Sequence, residues 1–422
     1  MLQKNDNGSG SGSLRVLLAS YRSHPFVGGQ GIYVRYLTKA LLDLGHQVDV
    51  VSGPPFPDLD PRAGLIKLPS LDLFAEDNPF SAIRWKHWRT WADLSEWLSH
   101  NSGAFGEPYA FGRRLRRYVR EHGDKYDVLH DNQTLARSLL KIRRTLPVVA
   151  TLHHPISIDL RLALQSEKRW WMRALIRRWH RFVAMQANTA RKLPHILTVS
   201  EASKQAALQD FGGTAAQYHV VPNGVDLDVF QPDPTVKRQK NLLVATASAD
   251  TPLKGLPILV AAFARLVPDH PDLQLRIIGR LRDGPTKDAI EQAGLSKRIQ
   301  FQSDLAQADI AKLFQQATIA ISASLFEGFG LPAAEAMACG TPVITSDGGA
   351  LPEVVADAGV VVPKGDDAAL AKAISALLAD PARRKKLGLA AAKRAEITFS
   401  WERHALQAVR LYHKAIHAHH TA

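Results

Sequence analysis

The chain of 422 residues contains a single cysteine, Cys339. One thiol excludes a disulfide framework within the chain and any cysteine-rich metal site, and it fits a reducing compartment. No run approaches the roughly 18 apolar residues that would span a bilayer. Residues 1–13 lack the apolar core of a signal peptide and read as a flexible polar tail with the composition of an appended linker. The expected location is the cytoplasm, with a peripheral position at the inner face of a membrane as a further option. A dinucleotide fingerprint is also missing. Gly29 and Gly31 follow the first apolar run, but no third glycine follows after two intervening residues. The next apolar run ends in Val51 and Ser52, with no acid for a ribose. A nicotinamide or flavin enzyme is therefore disfavoured. No base-reading module is present, so nucleic acid is not an expected partner.

What is present is an ordinary globular composition, 45% hydrophobic and 22% charged, with a formal net charge of +13. The length suits two or three domains, and the charge calls for an anionic partner. Apolar runs near 14–20, 47–52, 126–130, 146–152, 195–200 and 218–221 alternate with helix-periodic segments, the first over 32–44. A polar, proline-rich stretch up to Lys240 marks a boundary. A second alternation follows, with strands near 241–245, 273–278, 299–302, 318–322, 342–345 and 359–362 and helices such as 255–266 and 307–316. Strand–helix alternation of this kind specifies parallel sheets. The expected fold class is α/β, two Rossmann-like domains facing each other across a cleft. The expected domains are 14–215 and 216–399, with a last amphipathic helix within 400–422 returning to the first.

Two segments keep alternative readings. Trp85, Trp88, Trp91 and Trp97 sit in an irregular insert over 71–112. They read as a helix packed on the domain, or as a stacking platform for sugar or lipid. Over 167–192, Arg169, Arg173, Arg177 and Arg181 recur every four residues, with Trp171, Leu175, Trp179 and Phe182 on another stripe. That is either a surface helix with its stripe in the core, or a basic helix for an anionic membrane.

The chemistry concentrates at 324–340. An apolar run leads into Glu327, glycines on both sides of Phe329, Pro332 and a short helix that Gly340 closes. Proline at a helix start and glycine past its end are the expected punctuation. Such a loop points free N–H groups at whatever precedes the helix, where the dipole favours an anion. Glu327 on the loop and Glu335 one turn into the helix then flank a phosphate with polyol on each side. In the first half, His153 and His154 end an apolar run, where open α/β sheets bind ligands, and at most one of them faces the cleft.

The landmarks in order are Gly28 and Gly29; Thr151, Leu152 and His153; Ile196 to Glu201; Val221 to Asp226; Lys254 and Gly255; and Glu327 to Glu335. Together they resemble family 4 of the retaining glycosyltransferases, the glycosyl transferases group 1, which have the GT-B fold. The resemblance runs from Leu14 to the last helix. It implies that Glu335 binds the donor ribose, Glu327 holds the transferred sugar, and Lys254 neutralises the diphosphate. It further implies that N–H groups of Phe329, Gly330 and Leu331 contact sugar and diphosphate, that Gly28 and Gly29 admit the diphosphate, and that His153 stands near the sugar. The implied reaction moves a hexose from a UDP-, GDP- or ADP-linked sugar to a hydroxyl, with retention and without metal or cofactor. The acceptor is then a glycan or glycolipid of the cell envelope. A nucleotide-sugar epimerase or a sugar phosphorylase on the same fold is the alternative. One departure stands out. The family often places an arginine five residues before the lysine, where this chain has Ala249, and Arg280 or Arg282 are the candidate substitutes.

Overall fold

The computed structural model describes residues 12–24, 29–73, 78, 90–247 and 252–421. Two parallel sheets form two α/β domains. The first contains β1 (Arg15–Ser20), β2 (Gln47–Ser52), β3 (Gly64–Lys67), β4 (Val128–Asn132), β5 (Val148–Leu152), β6 (Ile196–Thr198) and β7 (Tyr218–Val220). Its spatial order is β3-β2-β1-β4-β5-β6-β7. The second contains β8 (Leu242–Thr246), β9 (Gln274–Ile278), β10 (Ile299–Gln302), β11 (Ile319–Ser322), β12 (Val343–Ser346) and β13 (Val360–Val362). Its order is β10-β9-β8-β11-β12-β13. In each sheet the strand order reverses beside the first strand, between β1 and β4 and between β8 and β11. Crevices at such reversals are where doubly wound sheets take ligands.

Helices cover both faces of each sheet, so central strands are buried without alternation: every residue of β4 and of β5 is buried, including the polar His130, Asp131 and Asn132 at the end of β4. The closing helix Trp401–His420 presents Trp401, Ala405, Ala408, Tyr412 and Ala415, spaced four and three apart, to the same core as Val16, Leu18 and Leu37 of the first domain. The chain crosses between domains twice, and the crossings lie side by side. Val225 N donates to Phe399 O at 2.7 Å, and Val225 forms a parallel bridge with Ser400.

Several expectations need correction. β7 pairs with β6, so the domain boundary falls after Val220 and not at 216. The first helix begins at Gly29, three residues earlier than its apolar spacing suggested, because Gly29 and Gln30 are exposed or half-exposed and carry no apolar signal. The basic segment 167–192 is two helices, Trp170–Trp179 and Phe182–Ala190. The first of them has no fully buried residue, and Trp171 and Leu175 are each 45% exposed, whereas Trp179 stacks on Phe105 at 5.3 Å and Phe182 is core, so only the first half of the apolar stripe lies off the core. Trp91, on the helix Trp91–Asn101, is 64% exposed, with the Arg113 guanidinium 5.9 Å from its ring centre. Trp85 and Trp88 lie outside the described residues.

Candidate functional site

The second-domain wall is the loop after β11 and the helix Leu331–Ala338. Gly330 caps that helix with φ 95°, and a Cβ there would come within 2.7 Å of Leu351 Cδ2. Only glycine takes this turn without strain. The turn leaves the N–H groups of Phe329, Gly330 and Leu331 without an acceptor among the described residues. The Phe329 side chain is buried edge-on against Phe399, at 5.5 Å between ring centres, so only its backbone faces the cleft. Glu327 is pinned through its backbone: its N–H donates to Gly348 O at 3.3 Å, and its carbonyl accepts from Ala350 N at 2.9 Å. Its Oε1 accepts from Ser324 Oγ and from Lys254 Nζ, both at 2.7 Å. Lys254 ends a single turn, Pro252–Lys254, which is tied to the site loop by Leu325 N donating to Leu253 O at 2.8 Å. The residues implied for sugar and for diphosphate are thus an ion pair with side chains 15% and 19% exposed.

Glu335 differs. The residue as a whole is half-buried in the helix, its carboxyl makes no hydrogen bond among the described residues, and burial raises that carboxyl to about 8. An empty site therefore holds it mostly protonated at neutral pH. Donor hydroxyls of a polyol are what would favour its charged form.

The first-domain wall forms at the ends of β1, β4 and β5. His153 N–H donates to Gln133 Oε1 at 2.7 Å, and His153 Nε2 lies 2.8 Å from Asn132 Oδ1. The Asn132 amide nitrogen faces two acceptors, Ser20 Oγ at 3.2 Å and Gln30 O at 3.5 Å. Its oxygen consequently faces His153, and Nε2 of that ring carries the hydrogen. Burial first, then the neighbouring His154 and His404 rings, pushes His153 down to about 3, so the ring is neutral. Its Nδ1 is then an acceptor for a ligand hydroxyl. His154 turns the other way, with Nε2 at 2.8 Å from Asp159 Oδ2. The turn that carries Gln133 is strained, with φ 56° there and φ 47° at Leu135, a cost that recurs at ligand sites. Gly29 is exposed, and a Cβ there would meet nothing within 4 Å, so the backbone is open to a ligand. Gly28 and Ala249 lie outside the described residues.

The two walls touch. Gly328 O accepts from Ser200 Oγ at 2.6 Å and from Ser203 Oγ at 3.0 Å, and Ser203 Oγ also lies 2.8 Å from His153 O. A Cβ on Gly328 would sit 2.5 Å from His153 O, so the approach requires glycine. The Glu353 carboxylate accepts from Glu201 N and Ala202 N at 2.8 and 2.7 Å, capping a first-domain helix from the second domain. Lys254, Glu327 and, through Gly328, His153 are therefore brought together, with Glu335 one turn along the helix. Neither candidate for the arginine position joins them. Arg280 pairs with Asp304 at 3.1 Å on the surface with its side chain 73% exposed, and Arg282 is exposed.

Sequence reasoning missed Asn132, Ser203 and Glu353, and gave Ser200 and Ser324 no role although both lie in the stretches it singled out. Asn132 had a usable signal, since it is the last residue of a buried strand, β4, as His153 directly follows another, β5. Ser200, Ser203 and Glu353 act across the domain gap, and no local pattern marks such partners, whereas Ser324 acts within the Glu327 loop itself.

A cation paired with a carboxylate, free N–H groups and a neutral histidine, gathered where two Rossmann-like domains meet, suit a ligand that is both anionic and rich in hydroxyls. The comparisons with known proteins agree. The profile of Glycosyltransferase Family 4 matches residues 27–229, and that of Glycosyl transferases group 1 matches 230–394. The "MMP alpha-(1->4)-mannosyltransferase" of Mycolicibacterium hassiacum is 44% identical over 96% of this chain and 98% of its own. Among solved structures, sucrose-phosphate synthase from Thermosynechococcus elongatus superposes with a TM-score of 0.73, at 25% identity over 96% of this chain and 100% of that one. Anabaena HepE in complex with UDP-glucose shares the fold, with a TM-score of 0.66 and 18% identity over 97% and 100% of the two chains. The chain belongs to the glycosyl transferases group 1, family 4, and has the GT-B fold. It is a glycosyltransferase.

Proposed function

We propose that this chain transfers a mannosyl group from a nucleotide-diphosphate mannose to a hydroxyl of a mannoside, forming an α-(1→4) linkage with retention. The observation that carries this reading is the 44% identity to a mannosyltransferase along nearly the whole length of both chains. That span includes the first domain, where acceptors bind.

The site residues take complementary parts. The N–H groups of Phe329, Gly330 and Leu331 and the backbone at Gly28 and Gly29 receive the diphosphate and sugar. Lys254 draws its charge toward the leaving diphosphate as the glycosidic C–O bond breaks. Glu327, sharing Lys254 at 2.7 Å, holds sugar hydroxyls and keeps the cation in place. His153 Nδ1 accepts from another hydroxyl of the same sugar, and Glu335 receives the ribose diol. Lys254 and N–H dipoles carry the charge that a metal carries elsewhere, so the reading calls for no metal and no cofactor.

The acceptor belongs to a glycan or glycolipid of the envelope, and the basic helix Trp170–Trp179 bears on where it is met. Trp170 is 81% exposed beside Trp171 and Leu175, on a helix that also holds Arg173, Arg177 and Arg178. This pattern suits peripheral contact with an anionic membrane. Incubation with GDP-, UDP- and ADP-linked mannose and a short mannoside, read by mass spectrometry of the products, tests the function. Mannose addition to the acceptor is expected. A mannose 1-phosphate product formed with free phosphate, or an epimerised donor without acceptor, would replace the reading with a phosphorylase or an epimerase.

A further inference from the structure

Behind His153 lies a buried chain of hydrogen bonds that admits one arrangement of hydrogens. His404 Nδ1 is 2.9 Å from Pro222 O, which only accepts, so Nδ1 carries the hydrogen. Burial pushes His404 down to about 4 and leaves the ring neutral, with Nε2 bare. Nε2 must then accept from the Tyr33 hydroxyl at 3.0 Å. Tyr33 has spent its hydrogen, so its oxygen accepts from Thr151 Oγ1 at 2.9 Å. Thr151 has spent its own in turn, so His130 Nε2, at 2.6 Å, donates to it. His130 is also neutral, pushed down to about 3 by burial, then by the nearby His404 and His153 rings. Its Nδ1 therefore accepts from the Tyr412 hydroxyl at 2.6 Å.

This chain starts on the closing helix at Tyr412, crosses β4 and β5, and reaches the helix Gly29–Asp43 at Tyr33. It returns to the closing helix at His404 and ends on the carbonyl of Pro222, where the backbone crosses to the second domain. The Tyr33 ring stands edge-on to His153 at 4.7 Å and to Trp401 at 5.7 Å. One turn along the same helix, Tyr36 stacks on Trp401 at 5.6 Å and donates to Asp226 Oδ2 at 2.8 Å. Tyr36 also touches Gln307 of the second domain. The His153 ring and both interdomain crossings are therefore contacted by one helix, whose first residue is Gly29.

We propose that Tyr33 and His404 are positioning residues that hold the His153 ring and the interdomain crossing in register, so that sugar placement and domain closure are set together. The proposal rests on the reading of His153 as a sugar-side group. In the wild-type chain, 15N spectra of the histidine rings at neutral pH should show His404 as the Nδ1–H tautomer and His130 as the Nε2–H tautomer. His404 signals are assigned by their loss in His404→Gln. Tyr33→Phe keeps the ring against His153 but removes the relay. It should lower kcat about 10- to 100-fold, with the dissociation constant for nucleotide-diphosphate mannose changed less than about threefold. His404→Ala should do the same, and His404→Gln, whose Oε1 accepts from Tyr33, should restore much of the loss. A His404 ring that is charged or protonated at Nε2 overturns the proposal, as does a Tyr33→Phe enzyme with the wild-type kcat. No transfer by the wild-type chain overturns the functional reading, and the positioning role with it. A working wild-type enzyme with the wrong tautomer overturns the positioning role alone.

Discussion

Donor binding should become tighter as pH rises, because of Glu335. In the empty site burial holds this carboxyl near 8, well above its ordinary value, with no partner among the described residues. Ribose hydroxyls donate to the charged form, so the bound carboxyl sits lower and binding expels a proton. A group with a higher value in the free state than in the complex weakens binding at low pH and releases that penalty as pH climbs through the free-state value. From about pH 6.5 to 8.5, the ionised fraction of a carboxyl with a value of 8 rises from about 3% to about 76%, a roughly 25-fold gain in affinity or ~1.9 kcal/mol. The ligand should be the intact nucleotide sugar, since both of its phosphates are strongly acidic diesters that do not titrate in this window. Isothermal titration calorimetry in two buffers of different ionisation enthalpy at about pH 7 should report close to one proton released. Glu335→Gln should bind with no pH slope. Equal slopes in wild type and Glu335→Gln, or no slope in either, would refute the assignment of Glu335 to the ribose.

Further outcomes follow from the other contacts. Lys254→Ala leaves Glu327 without its cation and the diphosphate without its charge, so kcat should fall by about 100- to 1,000-fold in steady-state transfer assays. Glu327→Gln, which cannot hold Lys254 as an ion pair, should also reduce kcat while donor affinity stays within about threefold. Gly330→Ala meets both φ 95° and a contact at 2.7 Å, so urea denaturation should show a loss of about 1–3 kcal/mol. Replacing Trp170, Trp171 and Leu175 by serine should leave stability within about 1 kcal/mol yet abolish sedimentation with anionic vesicles, because these side chains are exposed. Retained sedimentation would remove this helix from any membrane role.

Much of the fold was legible because parallel strands buried on both faces are continuous apolar runs. Val148–Leu152 and Leu242–Thr246 stand out from their polar surroundings in that way. Gly64–Lys67 did not, since this edge strand alternates between half-buried and exposed residues and is only four residues long. The break at His180 and Arg181 was invisible because arginine every four residues runs straight through it. The exposure of Trp171 was also unreadable, because periodicity gives a stripe and not what covers it. In the site, the turn at Gly330 and the pairing of loop and helix were legible from glycine and proline placement. The contact of Lys254 with Glu327 was not, since it joins residues from separate elements that only the sheet brings together. The hydrogen-bonded chain from Tyr412 to Pro222 was equally hidden. Its bonded pairs lie between 21 and 371 positions apart, and singly each reads as a core residue.

The anomeric outcome of transfer tests the central claim most directly. The enzyme is given α-configured nucleotide-diphosphate mannose and a mannoside with a free 4-hydroxyl, and the new linkage is read by NMR. The account predicts an α-(1→4)-linked mannose and loss of that product in Lys254→Ala. A β linkage, or transfer undiminished in Lys254→Ala, would contradict it.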